Sequence, residues 1–381
     1  MKNLITRIRN LFLFFLCLFY KIIGILKKDK VEKPKTVLVI QLAWLGDMVC
    51  TTPVFRAIKD NYPDCRVVVM GMSRNEKILD LHKDVDRFIV WQDNYSYIKD
   101  QLKNENIDFA CSLNPNYLAL CFLYLLGISR IAVPKIVGGY SPYESKLYKI
   151  LIKLIAIVVP HKMGNYAPQE YLKLLEPIGI FSNNTKKTLF FSDQAKKQVE
   201  DLFLKRNIDK NDFLVAISPS AGNKIKNWPA RRFGEVADYL IEKYKVKIFI
   251  IGTKMDKEEV EEMLNNMSYK SEVVNTYGTM SIDVLKALIS RMKAFISVDT
   301  GPIYIAEAFD VPTIDIIGPM DENEQPPRGV RHVNIIDPLR GGPIIHIMNS
   351  RVYDKEKARK SIENISVKMV TDAFDNLYKI I

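Results

Sequence analysis

The chain has 381 residues, 48% apolar and 26% charged, which is enough to bury a full core and excludes a disordered, collagen-like or disulfide-scaffold protein. Its five cysteines (Cys17, Cys50, Cys65, Cys111, Cys121) form no C-x-x-C pair and its four histidines (His82, His161, His332, His346) are scattered, so neither a disulfide framework nor a thiolate or histidine metal centre is expected, and a reducing compartment fits. The net charge of +11 is concentrated in residues 1–35, where nine Lys/Arg oppose only Asp29 and Glu32, and that location points to an anionic membrane rather than to nucleic acid.

The first element is the run of ten large apolar residues from Leu11 to Tyr20. It imitates a signal peptide, but Lys21 to Lys28 offers no small-x-small cleavage site. As a helix, residues 11–26 reach about 24 Å, short of the roughly 30 Å hydrocarbon layer. An interfacial anchor fits better, with a helix packed on the protein as the alternative. Were the segment to span, the five lysines after it, against three basic residues before it, would hold the following domain on the cytoplasmic side.

From residue 36 the pattern alternates between strand and helix. Strands are expected at 36–40, 66–71, 88–91 and 109–113, and a helix at 52–58 with Thr52 as N-cap and Pro53 in its first turn. Residues 148–159 are strongly apolar yet carry Lys149 and Lys153 after Lys146, which suits a core helix with snorkelling lysines or a second membrane-facing patch. A second cycle brings strands at 213–217, 246–252, 294–298 and 313–318, with helices at 230–244, 257–264 and 282–289. Two Rossmann-like units in one α/β chain follow, each a mostly parallel sheet covered on both faces. The polar stretch 181–187 is the expected boundary. The divisions are a basic, apolar segment 1–35, an N-terminal domain 36–182, a C-terminal domain 183–362 and a terminal helix 363–381.

In open α/β sheets ligands bind beyond the carboxyl ends of the strands. After the first strand, Gly46 allows a tight backbone and Asp47 is the only ionisable residue of its turn, as a helix cap or as a base. In the second cycle, Ser218-Pro219-Ser220-Ala221-Gly222-Asn223-Lys224-Ile225-Lys226 supplies hydroxyls, small residues and lysines suited to a diphosphate, without Walker A spacing. Val298-Asp299-Thr300-Gly301-Pro302 opens a helix whose free N–H groups and dipole would meet an anion. Asp84-Val85-Asp86 imitates a metal-binding DxD but reads as a solvated turn.

Together these residues resemble glycosyltransferase family nine, the ADP-heptose:lipopolysaccharide heptosyltransferases and their relatives, over nearly all of residues 36–375. Leu45-Gly46-Asp47 with Thr51-Thr52-Pro53 is similar to that family's LGDxxxTTP signature, and Lys226-Asn227-Trp228-Pro229 with Arg232-Phe233 to KxWPxxRF. Asp299-Thr300-Gly301-Pro302 resembles xDSGPxHLA, Gly318-Pro319-Met320-Asp321 resembles FGPTD, and 361–367 is similar to a C-terminal stretch that packs back across the domains. The resemblance implies a GT-B fold, two Rossmann-like domains facing a cleft, with an acceptor domain first and a nucleotide-sugar domain second.

It implies inverting transfer of heptose or a related sugar to a lipopolysaccharide-core or similar glycolipid acceptor, without a metal or other cofactor and without nucleic acid. The site it implies has Asp47 as general base and Gly46, Thr51 and Thr52 on the acceptor side. Ser220, Lys226, Asp256, Asp299, Thr300, Gly301 and Pro302 would bind the donor. Three positions depart from the pattern: Tyr304 replaces a common His, Ser218-Pro219-Ser220 replaces HPG, and Asp256 stands in the donor region where a Glu is usual. A cytoplasmic enzyme attached peripherally to the anionic inner membrane surface is expected. The alternatives are a non-catalytic nucleotide-sugar-binding protein at the membrane and a nucleotide-sugar epimerase on the same fold.

Overall fold

The computed structural model describes residues 2–24 and 33–381. The chain divides into two compact units at Lys186/Lys187, a few residues beyond the boundary expected at 182/183. Lys27, Lys28 and Lys30 of the basic segment lie outside the described residues.

The first unit runs α1 (Lys2–Ile22), β1 (Thr36–Gln41), α2 (Leu45–Asn61), β2 (Arg66–Gly71), α3 (Ser73–Glu76), β3 (Arg87–Val90) and α4 (Tyr95–Leu102). It continues with β4 (Phe109–Ser112), α5 (Tyr117–Leu125), β5 (Ile131–Val137), α6 (Lys146–Ile155), β6 (Ile157–Lys162) and α7 (Ala167–Leu172). The strands form one parallel sheet in the order β3-β2-β1-β4-β5-β6. Its central strands read as unbroken apolar runs because both faces are covered. Leu38, Ile40, Val68 and Met70 join a core with α4, α5 and α6, and the alternate Val37, Val39, Val67 and Val69 are equally buried on the other face. The apolar segment 148–159 is not one helix: it ends α6 at Ile155 and turns into the edge strand β6.

Helix α1 belongs to this core rather than standing apart from it. Leu13, Phe14 and Cys17 are buried against the α5 and α6 side, with the Cys17 thiol 3.6 Å from the Cys121 carbonyl oxygen. No helix among the described residues is long and apolar enough to cross a membrane.

The helix expected at 52–58 begins earlier, at Leu45, so Thr52 is not its cap and Pro53 sits in its interior. Proline lacks the N–H that would bond the carbonyl four residues back, that of Val49. The Thr52 hydroxyl donates to that oxygen instead, at 2.8 Å, and the helix continues.

The second unit runs α8 (Asp193–Lys205), β7 (Leu214–Ser218), α9 (Ala230–Tyr244), β8 (Lys247–Ile250), α10 (Lys257–Asn265), β9 (Val273–Asn275) and α11 (Ile282–Ile289). It closes with β10 (Ala294–Val298), α12 (Gly301–Ala308), β11 (Thr313–Ile316), β12 (His332–Ile335), α13 (Lys355–Glu363) and α14 (Val367–Tyr378). The sheet is again parallel, in the order β12-β11-β10-β7-β8-β9. Val370, Phe374 and Leu377 of α14 are buried in this unit's own core with Val236 and Leu240 of α9.

Gly318, just after β11, has φ +54° and lies so close to α13 that a Cβ would sit 2.4 Å from Ile362 Cδ1. Only glycine fits there.

Candidate active site

In the first unit the strand order reverses between β1 and β4, and in the second between β7 and β10. Those reversals open crevices at the carboxyl ends of the strands, and the segments after β1, β7 and β10 that carry Asp47, Ser220 to Lys226 and Asp299 leave strands beside them, whereas Asp256 follows β8, one strand further out.

In the first unit the chain leaves β1 through Gln41, whose amide is buried and bonded on both sides. Its Oε1 accepts from the Ala43 N–H at 3.2 Å and its Nε2 donates to Thr51 Oγ1 at 3.2 Å. Thr51 in turn donates to the Asp47 carbonyl at 2.8 Å. Thr51 and Thr52 therefore brace the helix, Thr52 through its own bond to the Val49 carbonyl. Asn114, beyond β4, accepts from the Leu42 N–H at 3.3 Å and closes the loop across the reversal.

Gly46 and Asp47 lie in the first turn of α2. The Asp47 Oδ2 accepts from the Trp44 N–H at 3.0 Å, so this carboxylate caps the helix and sits at the positive end of its dipole. Cap and base are compatible, since a carboxylate has lone pairs beyond the one the cap uses. Trp44 itself is 60% exposed, with the Arg74 guanidinium 4.2 Å over its ring.

In the second unit, the loop after β7 and the start of α12 after β10 meet. Lys226 Nζ lies 3.0 Å from Asp299 Oδ2, both largely buried, and the Tyr304 hydroxyl donates to the other oxygen of Asp299. Thr300 stands at the N-cap position of α12 without a side-chain capping bond, and Gly301 and Pro302 form the first turn, so the N–H groups that precede the helical ladder open beside this pair. Tyr304, standing where the family often has His, thus holds Asp299.

Ser220 and Asp256 form a second cluster. The Ser220 hydroxyl donates to Asp256 Oδ1 at 2.5 Å, and the Thr253 N–H and hydroxyl donate to Oδ2 at 2.7 and 2.8 Å. Burial pushes the Asp256 carboxyl up, but the Ser220 and Thr253 hydrogen bonds and the nearby Lys224 outweigh it and hold it below its ordinary range.

Two features escaped sequence reading. Asp315 lies in the middle of β11, opposite Ser297 of β10, fully buried, and its carboxyl oxygens have no hydrogen-bond partner among the described residues. Complete burial, then the Asp299 carboxylate, hold it well above the usual carboxylate range against the pull of Lys226. A lone carboxylate in the apolar run 313–317 was its signal. The other is a cluster of Asp321, Glu324 and His346, whose possible ligand atoms lie within 4.8 Å of one another. His346 Nδ1 stands 3.1 Å from Asp321 and 3.3 Å from Glu324, and these carboxylates raise its pKa to about 9. The imidazolium stands between the two carboxylates and offsets one of their two charges, and the same three side chains form a candidate cation site.

Other motif residues are architectural. Trp228 Nε1 donates to the Ile365 carbonyl at 2.8 Å and Arg232 reaches the Glu363 and Ile365 carbonyls at 2.6 and 2.8 Å, tying α9 to the α13–α14 junction. Asp86, of the imitation DxD, accepts from the Val67 N–H at 2.7 Å and pairs with Lys59 at 2.8 Å.

The family model of glycosyltransferase family 9 (heptosyltransferase) matches residues 101–349. The chain belongs to glycosyltransferase family 9. Lipopolysaccharide heptosyltransferase 3 of Escherichia coli K12 is 25% identical over 292 residues, 72% of this chain and 80% of that protein. Among solved structures, a family 9 glycosyl transferase from Veillonella parvula superposes with a TM-score of 0.75 at 18% identity, covering 93% of this chain and 100% of the other. E. coli ADP-heptose lps heptosyltransferase II superposes at 0.72 with 19% identity, covering 91% and 99%. The fold is accordingly of GT-B type, and this family 9 chain is a glycosyltransferase. The matched range begins after the Asp47 turn, whereas both superpositions extend over nine-tenths of the chain or more.

Proposed function

We propose that the protein is an inverting, metal-independent heptosyltransferase that moves heptose or a related sugar from a nucleoside-diphosphate donor, ADP-heptose first among the candidates, to a lipopolysaccharide-core or similar glycolipid. Membership of family 9 supports the reaction class, and the names of its relatives supply the candidate donor and acceptor. The observation that carries the donor side is the Lys226–Asp299–Tyr304 cluster at the opening of α12, beside the β7/β10 reversal.

The chemistry follows from charge. An acceptor hydroxyl attacks the anomeric carbon as the bond to the diphosphate breaks, and Asp47 takes the hydroxyl proton. The electron pair of the broken bond leaves on the diphosphate oxygen. Lys226 and the free N–H groups at the start of α12 face that growing negative charge, the work a metal performs in other transferases. The enzyme works on the cytoplasmic side, held peripherally on the membrane.

The test is transfer itself, with ADP-heptose and a truncated lipid acceptor, the anomeric configuration of the product being read by NMR. An inverted product formed by wild type and lost in Asp47→Asn supports the reading. Retention of configuration, or turnover of Asp47→Asn within tenfold of wild type, refutes it.

A further inference from the structure

Helix α1 has two apolar faces. One packs into the first unit through Leu13, Phe14 and Cys17. The other carries Ile8, Phe12, Phe15, Phe19 and Ile22, alternately four and three residues apart, and this stripe stays 57–82% exposed. A continuous apolar stripe of this kind marks a surface that is covered in use.

Helix α6 packs into the same core through Tyr148, Leu151, Ile152 and Ile155, next to α1. Its outward side exposes Ile150 and Leu154 among Lys146, Lys149 and Lys153. Neither helix contains an acidic residue. One acidic neighbour does reach the rim, Glu144, 3.8 Å from Lys149.

We propose that the outward faces of α1 and α6 form one composite docking surface for an anionic phospholipid bilayer. The stripe of α1 with Ile150 and Leu154 enters the acyl boundary, and Lys146, Lys149 and Lys153 with Lys21 meet the phosphate headgroups. The charge decides the occupant: a second copy would bring the same basic rim against itself, whereas an anionic leaflet complements it. Lysines in this setting keep their stems on apolar surface and their heads at the phosphates. The proposal rests on the reading that the enzyme attaches peripherally to the membrane. It adds that α6, more than a hundred residues away in sequence, fixes how the first unit lies on the bilayer.

The experiment uses the full chain. Its five native cysteines are buried, so a thiol-reactive, polarity-sensitive dye placed at Phe15→Cys or Leu154→Cys reports from that site alone. Phosphatidylcholine vesicles with and without phosphatidylglycerol are the probes. Both dyes should shift to the blue with anionic vesicles. The triple variant Lys146→Gln/Lys149→Gln/Lys153→Gln should lose roughly fivefold in vesicle partitioning per lysine, somewhat less for Lys149, with circular dichroism unchanged.

A dye at 15 that enters lipid while the dye at 154 stays in water overturns the composite surface and leaves peripheral attachment standing. Failure of the unlabelled protein to float with anionic vesicles at low salt overturns both. A dye at 15 that is shielded without vesicles, together with a concentration-dependent dimer, makes the stripe a protein interface and overturns the proposal.

Discussion

Replacing Lys226 by methionine separates what this residue does for the fold from the donor contact proposed for it. Its ammonium lies 3.0 Å from Asp299, the two side chains being 17% and 3% exposed. Breaking a buried pair from one side costs about 3–5 kcal/mol when the remaining charge has no other partner. Here Asp299 keeps the Tyr304 hydroxyl, so about 2–3 kcal/mol is expected. At about 2–4 °C per kcal/mol for a unit of this size, melting should fall by roughly 4–12 °C. A hydrogen bond from a charged donor to a diphosphate contributes about 1.5–3 kcal/mol, so the Kd for ADP should rise by roughly ten- to 150-fold.

The double variant Lys226→Met/Asp299→Asn removes the stranded carboxylate. It should regain most of the melting temperature and none of the affinity. Calorimetry of ADP binding and a thermal melt of the three proteins decide the matter. Unchanged ADP affinity in Lys226→Met refutes the donor-site assignment, and recovery of affinity in the double variant shows that the lysine acted only by neutralising Asp299.

Asp47→Asn should keep the fold and ADP affinity while lowering transfer by about 10²–10⁴, the value of a general base; steady-state kinetics on a defined donor and acceptor check this. On the proposed mechanism, in which Lys226 and the α12 N–H groups stabilise the leaving group, activity should survive EDTA; complete loss reversed by magnesium or manganese would contradict it. His346→Gln should destabilise the second unit in a pH-dependent way. Its pKa is raised to about 9 in the folded protein by Asp321 and Glu324, so its contribution is full below about pH 6.5 and fades as pH rises through about 9. The difference from wild type should be about 2 kcal/mol at pH 7, measured by urea unfolding, and should vanish above about pH 10.

The sequence by itself determined the alternation of strands and helices, because burial on both faces writes a central parallel strand as an unbroken apolar run such as 66–71 or 294–298. It also marked the residues leaving those strands, Asp47, Ser220, Lys226 and Asp299, since ligand sites lie there in any open α/β sheet. Strand order was not legible. Pairing is long-range, and only the sheet shows that β1 neighbours β4 and β7 neighbours β10, which puts those residues beside the reversals.

The start of α2 was hidden by Pro53, because proline signals a first turn, whereas here the Thr52 hydroxyl bonds the carbonyl that the proline leaves without its N–H and lets Pro53 sit deeper in the helix. The strand β6 was hidden inside an apolar segment that periodicity alone cannot divide. Packing alone assigned Trp228 and Arg232 to the C-terminal helices, because their partners are carbonyls some 130 residues away. It likewise brought His346 to Asp321 and Glu324, which no spacing in the chain announces. The same holds for α1: its composition announced an apolar helix with basic flanks, but a helix in isolation has no inside. Only the seat on α5 and α6 decided that Cys17 faces the core and Phe15 faces outward.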